Sequence, residues 1–320
     1  MDLKKTTMSP KVTLTLDSTC FMLNSLAMGD VLAAVPVVKY MVEEYYSDPT
    51  MYMVVAKEMF KPFFHFIPED RFHSFEDKAN DWGIPLHFAI SALNQTKVKS
   101  ITRNTPRHMH LGQFASIRLA NRILDPGFLK YVPLKQVDIS RYGVDFSKSV
   151  ILVTSYRDAT RAWSADSILE TAEYIQQRGF IPVFVGKTDM NVELNLSPKT
   201  SLPEKLTLGV DLRNNTSIEE LASIMGLSKA VCGLDSGPIH LAGTTSVPII
   251  CGYTSILPEY RIPYRDKGAT YSILPDIPCI GCESRWQSHF WNWEKCYLGH
   301  IDCCKSMTSD KFIHYLQDIL

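Results

Sequence analysis

A short run of polar, glycine and proline residues, Asp235-Ser236-Gly237-Pro238, separates the apolar stretch 230–233 from His240. The apolar stretch predicts a buried strand, and the run that follows is typical of a helix start, because Asp or Ser can cap a helix and Pro suits its first turn. Gly237 lets the backbone come close to a ligand. The unpaired N–H groups of such a turn bind anions. The segment therefore predicts an anion site at the carboxyl edge of a sheet, although an ordinary strand-to-helix turn is the alternative interpretation.

Gly29 and Asp30 form a similar junction near the beginning of the chain. They lie between a short apolar stretch at 20–24 and a helical pattern at 31–46 that contains Pro36. Asp30 can be a helix cap, which is the commoner role, or a general base that faces a ligand. The positive end of the helix dipole would favour its ionised form, which a base needs.

Hydroxyl and guanidinium groups follow a third predicted strand, at 150–154. Thr154, Ser155 and Arg157 come at its end, and Arg161 follows within the same loop. These groups suit phosphate oxygens, which arginine binds through paired hydrogen bonds. A polar loop with a surface ion pair is the alternative. Gly186-Lys187-Thr188 does not complete a phosphate-binding P-loop, because that pattern needs glycine at position 181, which is Ile181.

The cysteines near the end of the chain could bind a metal. Cys279 and Cys282 have the spacing of a zinc knuckle, and Cys296 and Cys303 could complete a tetrahedral site. The spacing of the last two is not that of a zinc ribbon, so isolated buried thiols are the alternative.

One part of the chain has a clear charge asymmetry. Residues 82–124 contain no Asp or Glu, but they carry Lys97, Lys99, Arg103, Arg107, Arg118 and Arg122. Such a stretch is usually a solvated helix face, but it could instead contact an anionic acceptor.

The composition limits the class of protein. The chain has 320 residues, of which 45% are hydrophobic and 21% charged, and its net charge is −1. Extended disorder and broad, non-specific binding to nucleic acid or anionic membrane are therefore not expected. No apolar run has transmembrane length, although peripheral membrane contact stays open. We expect a cytoplasmic protein with reduced thiols.

Alternating strand and helix patterns predict an α/β fold with parallel sheets in two domains. We place the domains at 1–146 and 147–304, with a cysteine-rich segment at 279–304. A terminal helix at 305–320 could pack back on the first domain. In the second domain, Ser164 is expected to cap one helix, and Ser217-Ile218-Glu219-Glu220 forms a capping box for the next.

Three motifs occur together in an order that resembles glycosyltransferase family 9, the heptosyltransferases. They are Ser25-Leu26-Ala27-Met28-Gly29-Asp30, Arg161-Ala162-Trp163 and Asp235-Ser236-Gly237-Pro238-Ile239-His240. The resemblance covers nearly the whole chain and is weakest from about 60 to 145. It implies a GT-B architecture, in which two Rossmann-like domains face a central cleft. It also implies inverting transfer from a nucleotide-sugar donor with no catalytic metal.

The resemblance also implies roles for individual residues. Asp30 would deprotonate the acceptor hydroxyl, and Arg161 would replace the usual lysine that neutralises the leaving diphosphate. The rest of the donor site would comprise Gly29, Thr154, Ser155, Arg157, Asp235, Ser236, Gly237, Pro238 and His240. Asp189 is the only residue that could replace a glutamate by which the family often contacts the nucleoside.

The leading hypothesis is a glycosyltransferase that acts on an anionic cell-envelope glycan such as a lipopolysaccharide core, with the basic stretch, above all Lys97, Lys99, Arg103 and Arg107, contacting the acceptor. A second hypothesis is transfer to a hydroxylated base in DNA, which would use the same stretch for backbone phosphates. A third is a non-catalytic nucleotide-sugar binder. A structural zinc ion at the four cysteines is compatible with each of them.

Overall fold

The structure is a computed structural model that describes residues 19–23, 27–75, 97–101, 109–156, 159–187, 202–285, 296 and 298–320. Its first part forms a parallel sheet with the strand order β3-β2-β1-β4. The strands are β1 (Thr19–Leu23), β2 (Tyr52–Lys57), β3 (Phe72–Phe75) and β4 (Lys97–Ile101). All five residues of β1 are buried, which agrees with its central position and its wholly apolar second half.

The second part of the chain forms another parallel sheet, with the order β10-β9-β8-β5-β6-β7. Its strands are β5 (Ser149–Val153), β6 (Ile181–Val185), β7 (Val210–Asp211), β8 (Ala230–Leu234), β9 (Ile249–Gly252) and β10 (Thr270–Ile273). The strand order reverses between β5 and β8, and the carboxyl ends of strands at such a point border a ligand crevice in open α/β sheets.

Helices connect the strands within each unit. The described helices are α1 (Met28–Tyr45), α2 (Leu111–Ala120), α3 (Ala165–Gln177), α4 (Ile218–Leu227), α5 (Gly237–Ala242), α6 (Cys282–Arg285), α7 (Asp302–Lys305) and α8 (Ser309–Ile319). Helix α1 continues through Pro36 and buries most of its side chains. No described helix combines the length and the apolar character that a membrane crossing needs.

The predicted helix caps in the second unit are confirmed. The Ser164 side chain accepts a hydrogen bond from the Ser167 backbone N–H at the start of α3. At the start of α4, the Glu220 N–H donates to Ser217, and the Glu220 carboxylate accepts from the Ser217 N–H. These bonds satisfy N–H groups that have no partner inside the helix.

A continuous apolar core joins the two units. One buried cluster extends from Phe21 and α1 in the first unit to Ile151 and Ile239 in the second, and α1 packs directly against α5. This packing brings the first turn of α1 to the strand-to-helix turn after β8. The two junctions that the sequence singled out therefore lie on the same interface.

The terminal helix differs from its expected position. Helix α8 packs on α3, β8 and β10, so it covers the second sheet instead of returning to the first domain. Trp163 explains this docking, because its ring stacks on Phe312 with centroids 4.1 Å apart and its indole N–H donates to the Met307 carbonyl at 3.1 Å. The apolar side of α8, with Phe312 and Leu316, completes a second buried cluster.

The segment just before β5 already contacts the second unit, although it precedes the domain boundary that we expected at position 147. The Val137 N–H donates to the Ser223 hydroxyl at 3.0 Å, and Arg141 forms an ion pair with Glu220 at 2.7 Å. The polar composition of this segment is compatible with a linker, but its hydrogen bonds attach it to α4.

Candidate active site

Asp235 is the centre of a buried charge cluster at the carboxyl end of β8. Its backbone N–H donates to the Gly252 carbonyl of the neighbouring strand at 3.1 Å, which fixes the turn. One carboxylate oxygen lies 3.3 Å from Arg161 Nη1 and 4.0 Å from Arg261 Nε, and the other lies 3.4 Å from His240 Nε2. Asp235, His240 and Arg261 are 5%, 4% and 6% exposed, so solvent screens these charges little.

The neighbours of Asp235 keep it ionised. Burial by itself would raise the pKa of its carboxyl, but the charge of Arg161, the hydrogen bond from His240 and the charge of Arg261 hold that pKa well below its usual value. Burial lowers the pKa of Arg261, and Asp235 opposes this effect. The cluster therefore contains two cations and one internal counter-ion.

The loop before α3 positions Arg161. This residue ends a short 3₁₀ turn, Ala159–Arg161, whose Thr160 carbonyl accepts a hydrogen bond from the Thr254 hydroxyl. Thr160 also donates to Ser255 at 3.3 Å. The docked Trp163 holds the other end of the loop, so the guanidinium of Arg161 projects from a segment that is fixed on both sides.

Ser236, one of the two cap residues that the sequence allowed, occupies the N-cap position of α5, and Pro238 lies in the first turn. The side chain of Ser236 nevertheless makes no cap hydrogen bond, and among the described residues its buried hydroxyl has no partner. Helix α5 has only six residues, so the positive potential of this site comes mainly from Arg161 and Arg261.

The beginning of α1 faces this cluster from the first unit. A Cβ built on Gly29 would lie 2.7 Å from Cδ2 of His240, so only glycine fits here without a shift. Asp30 lies in the first turn of α1, where Ala27 occupies the cap position, so the cap interpretation of Asp30 is wrong. Asp30 raises the pKa of both Tyr131 and Arg261, which places it beside the buried cluster.

Two further residues of this site, Tyr131 and Arg261, carry no local sequence signal. The Tyr131 hydroxyl lies 2.9 Å from His240 Nδ1, although 109 positions separate the two residues. Arg261 follows a 3₁₀ turn, Pro258–Tyr260, in the loop after β9. No local sequence pattern could have identified either residue, because only the folded chain brings them close to Asp235 and His240.

His110 adds a neighbouring contact between the units. Its Nδ1 accepts from the Gly112 N–H at the start of α2, and its Nε2 lies 2.8 Å from the Ile262 carbonyl. Its ring lies 3.9 Å, centroid to centroid, from the ring of Tyr264. Burial lowers the pKa of His110 to about 4, so the ring is neutral at pH 7.

The other residues predicted to bind the donor are only partly described. Thr154 and Ser155 lie at the carboxyl end of β5, where the Thr154 hydroxyl donates to the Val185 carbonyl at 3.0 Å. Gly186 adopts φ +125°, and a Cβ on it would lie 2.6 Å from the Ser155 hydroxyl. Arg157 and Asp189 lie outside the described residues.

A cavity of ≈ 690 Å³ opens between the two units. Residues from the segment after β2 line one side, and residues from the end of β6 and the start of α4 line the other. They include Lys61, Phe64, Lys135, Lys187, Ser217 and Glu219. Asp235 and His240 are not part of this lining, so the cavity and the charge cluster are separate features of the same interface.

The structure describes few of the residues predicted to contact the acceptor. Lys99 lies on β4, where its ammonium donates to the Leu119 carbonyl at the end of α2 at 2.5 Å. Arg122 contacts the hydroxyls of Tyr40 and Tyr45. Lys97 also lies on β4, but its side chain is outside the described part, as are Arg103 and Arg107. Lys99 and Arg122, two cations of the basic stretch, therefore already have hydrogen-bond partners within the chain.

The four cysteines predicted to bind metal share one neighbourhood. Burial and the nearby thiols of Cys303, Cys279 and Cys296 raise the pKa of Cys282 to about 11. All eight cysteines are free thiols. Among the described side chains, however, no group of three or more His, Cys, Asp or Glu residues has an arrangement that could hold a metal ion. The structure therefore places these thiols near one another without forming the predicted coordination site.

The family model for glycosyltransferase family 9 (heptosyltransferase) matches residues 131–288. No curated protein matches the chain in sequence. Solved structures share the fold, among them TibC from enterotoxigenic E. coli H10407, an iron-containing dodecameric glycosyltransferase. Its TM-score is 0.71 at 13% identity, over 96% of this chain and 77% of TibC. TibC has also been solved in complex with ADP-D-beta-D-heptose.

Two further solved structures are similar to this chain over nearly the whole of their own length. A family 9 glycosyltransferase from Veillonella parvula DSM 2008 has a TM-score of 0.65 at 13% identity, over 96% of this chain and 98% of that protein. The E. coli ADP-heptose lipopolysaccharide heptosyltransferase II has a TM-score of 0.60 at 12% identity, over 94% and 98%. The two parallel sheets are thus the two Rossmann-like units of a GT-B fold. Residues 131–288 therefore match a glycosyltransferase family 9 domain, as the sequence motifs predicted, and the chain has the fold of these enzymes.

Proposed function

We propose that this chain transfers a sugar from a nucleotide-diphosphate donor to a hydroxyl of an anionic glycan, with inversion at the anomeric carbon. The observation that carries this proposal is the juxtaposition of Arg161, Arg261 and Asp30 around Asp235 and His240. Two cations come from the second unit and one carboxylate comes from the first. Displacement at an anomeric carbon needs both functions, on opposite sides of the reacting centre.

The arginines would stabilise the leaving diphosphate. Negative charge builds up on that group as the glycosidic bond breaks, and guanidinium groups in a buried site stabilise it more than they would in water. Asp235 would hold the two cations in place before the donor binds. The Ser236 hydroxyl, which has no partner among the described residues, would donate a further hydrogen bond to a phosphate oxygen. In this proposal the arginines supply the charge that a divalent metal supplies in other transferases.

Asp30 would act as the base. It lies in the first turn of an 18-residue helix, where the dipole favours a negative charge. A base in this position would remove the proton of the acceptor hydroxyl as the oxygen attacks. A single carboxylate for this step agrees with one displacement and therefore with inversion.

The nucleoside would occupy the cavity between the units, near Lys187 and the start of α4. Of the remaining predicted donor residues, Ser155 follows β5 at the same edge of the sheet, and we propose that Arg157 and Asp189, which come soon after β5 and β6 in the sequence, also contact the donor. We propose ADP-heptose as the first donor to test, because TibC binds ADP-D-beta-D-heptose and heptosyltransferase II is named for ADP-heptose. A lipopolysaccharide core is the corresponding acceptor.

The test has two stages. The full-length protein is first screened by thermal shift against ADP-, UDP-, GDP- and CMP-sugars, since only ligands of the native state raise the melting temperature. Release of the nucleotide is then measured with the stabilising donor and with lipopolysaccharide core, hydroxymethylated DNA or no acceptor. Transfer to the glycan supports the proposal, whereas transfer only to DNA, or stabilisation without transfer, contradicts it.

The variant Asp30→Asn distinguishes the catalytic role from binding. We expect turnover to fall by about 10²–10⁴-fold while the donor-induced thermal shift is retained. Glu44→Gln, which changes an exposed acid near the end of the same helix, is the matched control. Equal turnover of Asp30→Asn and wild type would exclude Asp30 as the base.

We also propose that Cys279, Cys282, Cys296 and Cys303 bind a structural zinc ion after local rearrangement, since the four thiols share one neighbourhood and a bound zinc ion would displace their protons. Metal content after purification, measured for both zinc and iron, tests this proposal. Iron is included because TibC is iron-containing. One zinc per chain, lost in Cys282→Ser, is expected. The zinc proposal would be contradicted if purified wild-type protein contains no metal and Cys282→Ser unfolds at the same temperature as wild type.

A further inference from the structure

Tyr131 makes a side-chain contact across the two units that the assignments above do not use. Its hydroxyl lies 2.9 Å from Nδ1 of His240, and its backbone N–H donates to the Tyr264 carbonyl at 2.8 Å. Both parts of this residue therefore dock on the second unit. The Tyr131 side chain is 6% exposed, so water does not compete freely for the hydroxyl.

The hydrogen bonds around His240 have a definite direction. The Asp235 carboxylate can only accept, so Nε2 of His240 must carry the proton that points toward it. In a neutral imidazole the other nitrogen, Nδ1, is then an acceptor. Tyr131 can supply its donor, because burial, followed by the charges of Asp30 and Asp235, raises the pKa of the phenol well above its ordinary value and keeps it protonated. The chain of donors runs from Tyr131 through His240 to Asp235.

The His240 ring is also confined from another direction. The backbone of Gly29 lies against the Cδ2 and Nε2 edge of the ring, and Tyr131 holds the Nδ1 side. Both contacts come from the first unit, whereas His240 and Asp235 belong to the second. The orientation of His240 therefore depends on the relative position of the two units.

We propose that Tyr131 is a positioning residue for sugar transfer, whose hydroxyl fixes His240 in the tautomer that donates to Asp235 when the two units are together. This inference rests on the proposed function, since it acts on the same site. It also explains why a tyrosine hydroxyl is buried here. Without the hydrogen bond from that hydroxyl, Nδ1 of His240 would have no donor and the imidazole ring could rotate. Asp235 would then lose the hydrogen bond from His240 and keep only its two arginine neighbours, Arg161 and Arg261.

The kinetic test compares Tyr131→Phe with wild type. We expect kcat to fall by about tenfold, with the donor KM within about twofold, because the phenol acts through His240 and does not bind the donor. In a His240→Ala background, Tyr131→Phe should have no further effect, since the two residues act as one unit. Tyr264→Phe is the matched control, because it removes another tyrosine hydroxyl from the same interface. An equal loss in both backgrounds would overturn the proposal.

The structural test needs no donor. In protein labelled with ¹⁵N-histidine, His240 is assigned by its absence in His240→Gln, and the protonation of each ring nitrogen is read from its ¹⁵N shift. We expect a protonated Nε2 and a bare, hydrogen-bonded Nδ1 in wild type, and loss of the Nδ1 hydrogen bond in Tyr131→Phe. A protonated Nδ1, or a spectrum that Tyr131→Phe leaves unchanged, would overturn the proposal even if the enzyme is active. Failure of wild type to transfer any sugar would instead refute the proposed function and leave this measurement valid.

Discussion

Gly29 and His240 are in contact across the two units, with the backbone of one against the imidazole edge of the other. A Cβ on Gly29 would lie 2.7 Å from Cδ2 and 3.1 Å from Nε2 of the ring. Helix propensity alone would make Gly29→Ala stabilising, by about 1 kcal/mol. We expect the reverse: a loss of about 1–3 kcal/mol in the free energy of unfolding, because the ring must move, together with reduced turnover. Urea unfolding and nucleotide release measure the two effects.

Gly237→Ala is the matched control for that change. Its Cβ would lie 3.1 Å from Cβ of Met28, so a shift of a few tenths of an ångström would relieve the contact, less than the 2.7 Å contact at Gly29 requires. A smaller loss of stability is therefore expected. If the two alanine variants behave alike, the contact with His240 is not what requires glycine at position 29.

Arg161 should contribute more to turnover than to folding. Replacing it with Gln removes a cation beside Asp235, so kcat/KM should fall by about 10²–10³-fold. Arg161→Lys should retain part of the activity, since it keeps the charge but loses the forked geometry. Arg178→Gln changes an exposed arginine at the end of α3 and should have wild-type rates. Wild-type kcat/KM in Arg161→Gln would remove this residue from the donor site.

Asp235 should contribute strongly to stability. Asp235→Asn would leave two arginines without their buried counter-ion, and we expect the free energy of unfolding to fall by about 3–5 kcal/mol. Glu69→Gln, which breaks the exposed ion pair with Lys61, should lower the free energy of unfolding far less, because solvent screens that pair. Denaturant titration at pH 7 compares the two. Similar losses would mean that the cluster is more solvated than its burial indicates.

His110 should make the contact between the units sensitive to acid. Its pKa is about 4 in the folded chain and near 6.5 when unfolded, so the unfolded state binds more protons between these values. Stability is therefore retained above pH 6.5 and falls as the pH drops toward 4, by on the order of 3 kcal/mol in total. His110→Asn can keep the helix cap without titrating in this range. A melting temperature with the same pH dependence in His110→Asn would contradict this assignment.

Local chemistry made much of the fold predictable from the sequence. The caps at Ser164 and Ser217 depend on residues within three positions, and strands such as Ala230–Leu234 are continuous apolar runs. The docking of α8 was not predictable in this way. Its apolar side could have covered either sheet, and the stacking of Phe312 on Trp163 selects the second.

The same distinction applies to the site. The sequence by itself determined the strand-to-helix turns that carry Asp30, Asp235 and His240, because the types and spacing of neighbouring residues specify those turns. Only the tertiary structure decided that Tyr131 and Arg261 join them and that, within the described part of the chain, the Ser236 hydroxyl has no hydrogen-bond partner. The physical reason is that a buried charge cluster is satisfied by whichever side chains the packing of α1 on α5 brings within a few ångströms, and distance along the chain does not record that proximity.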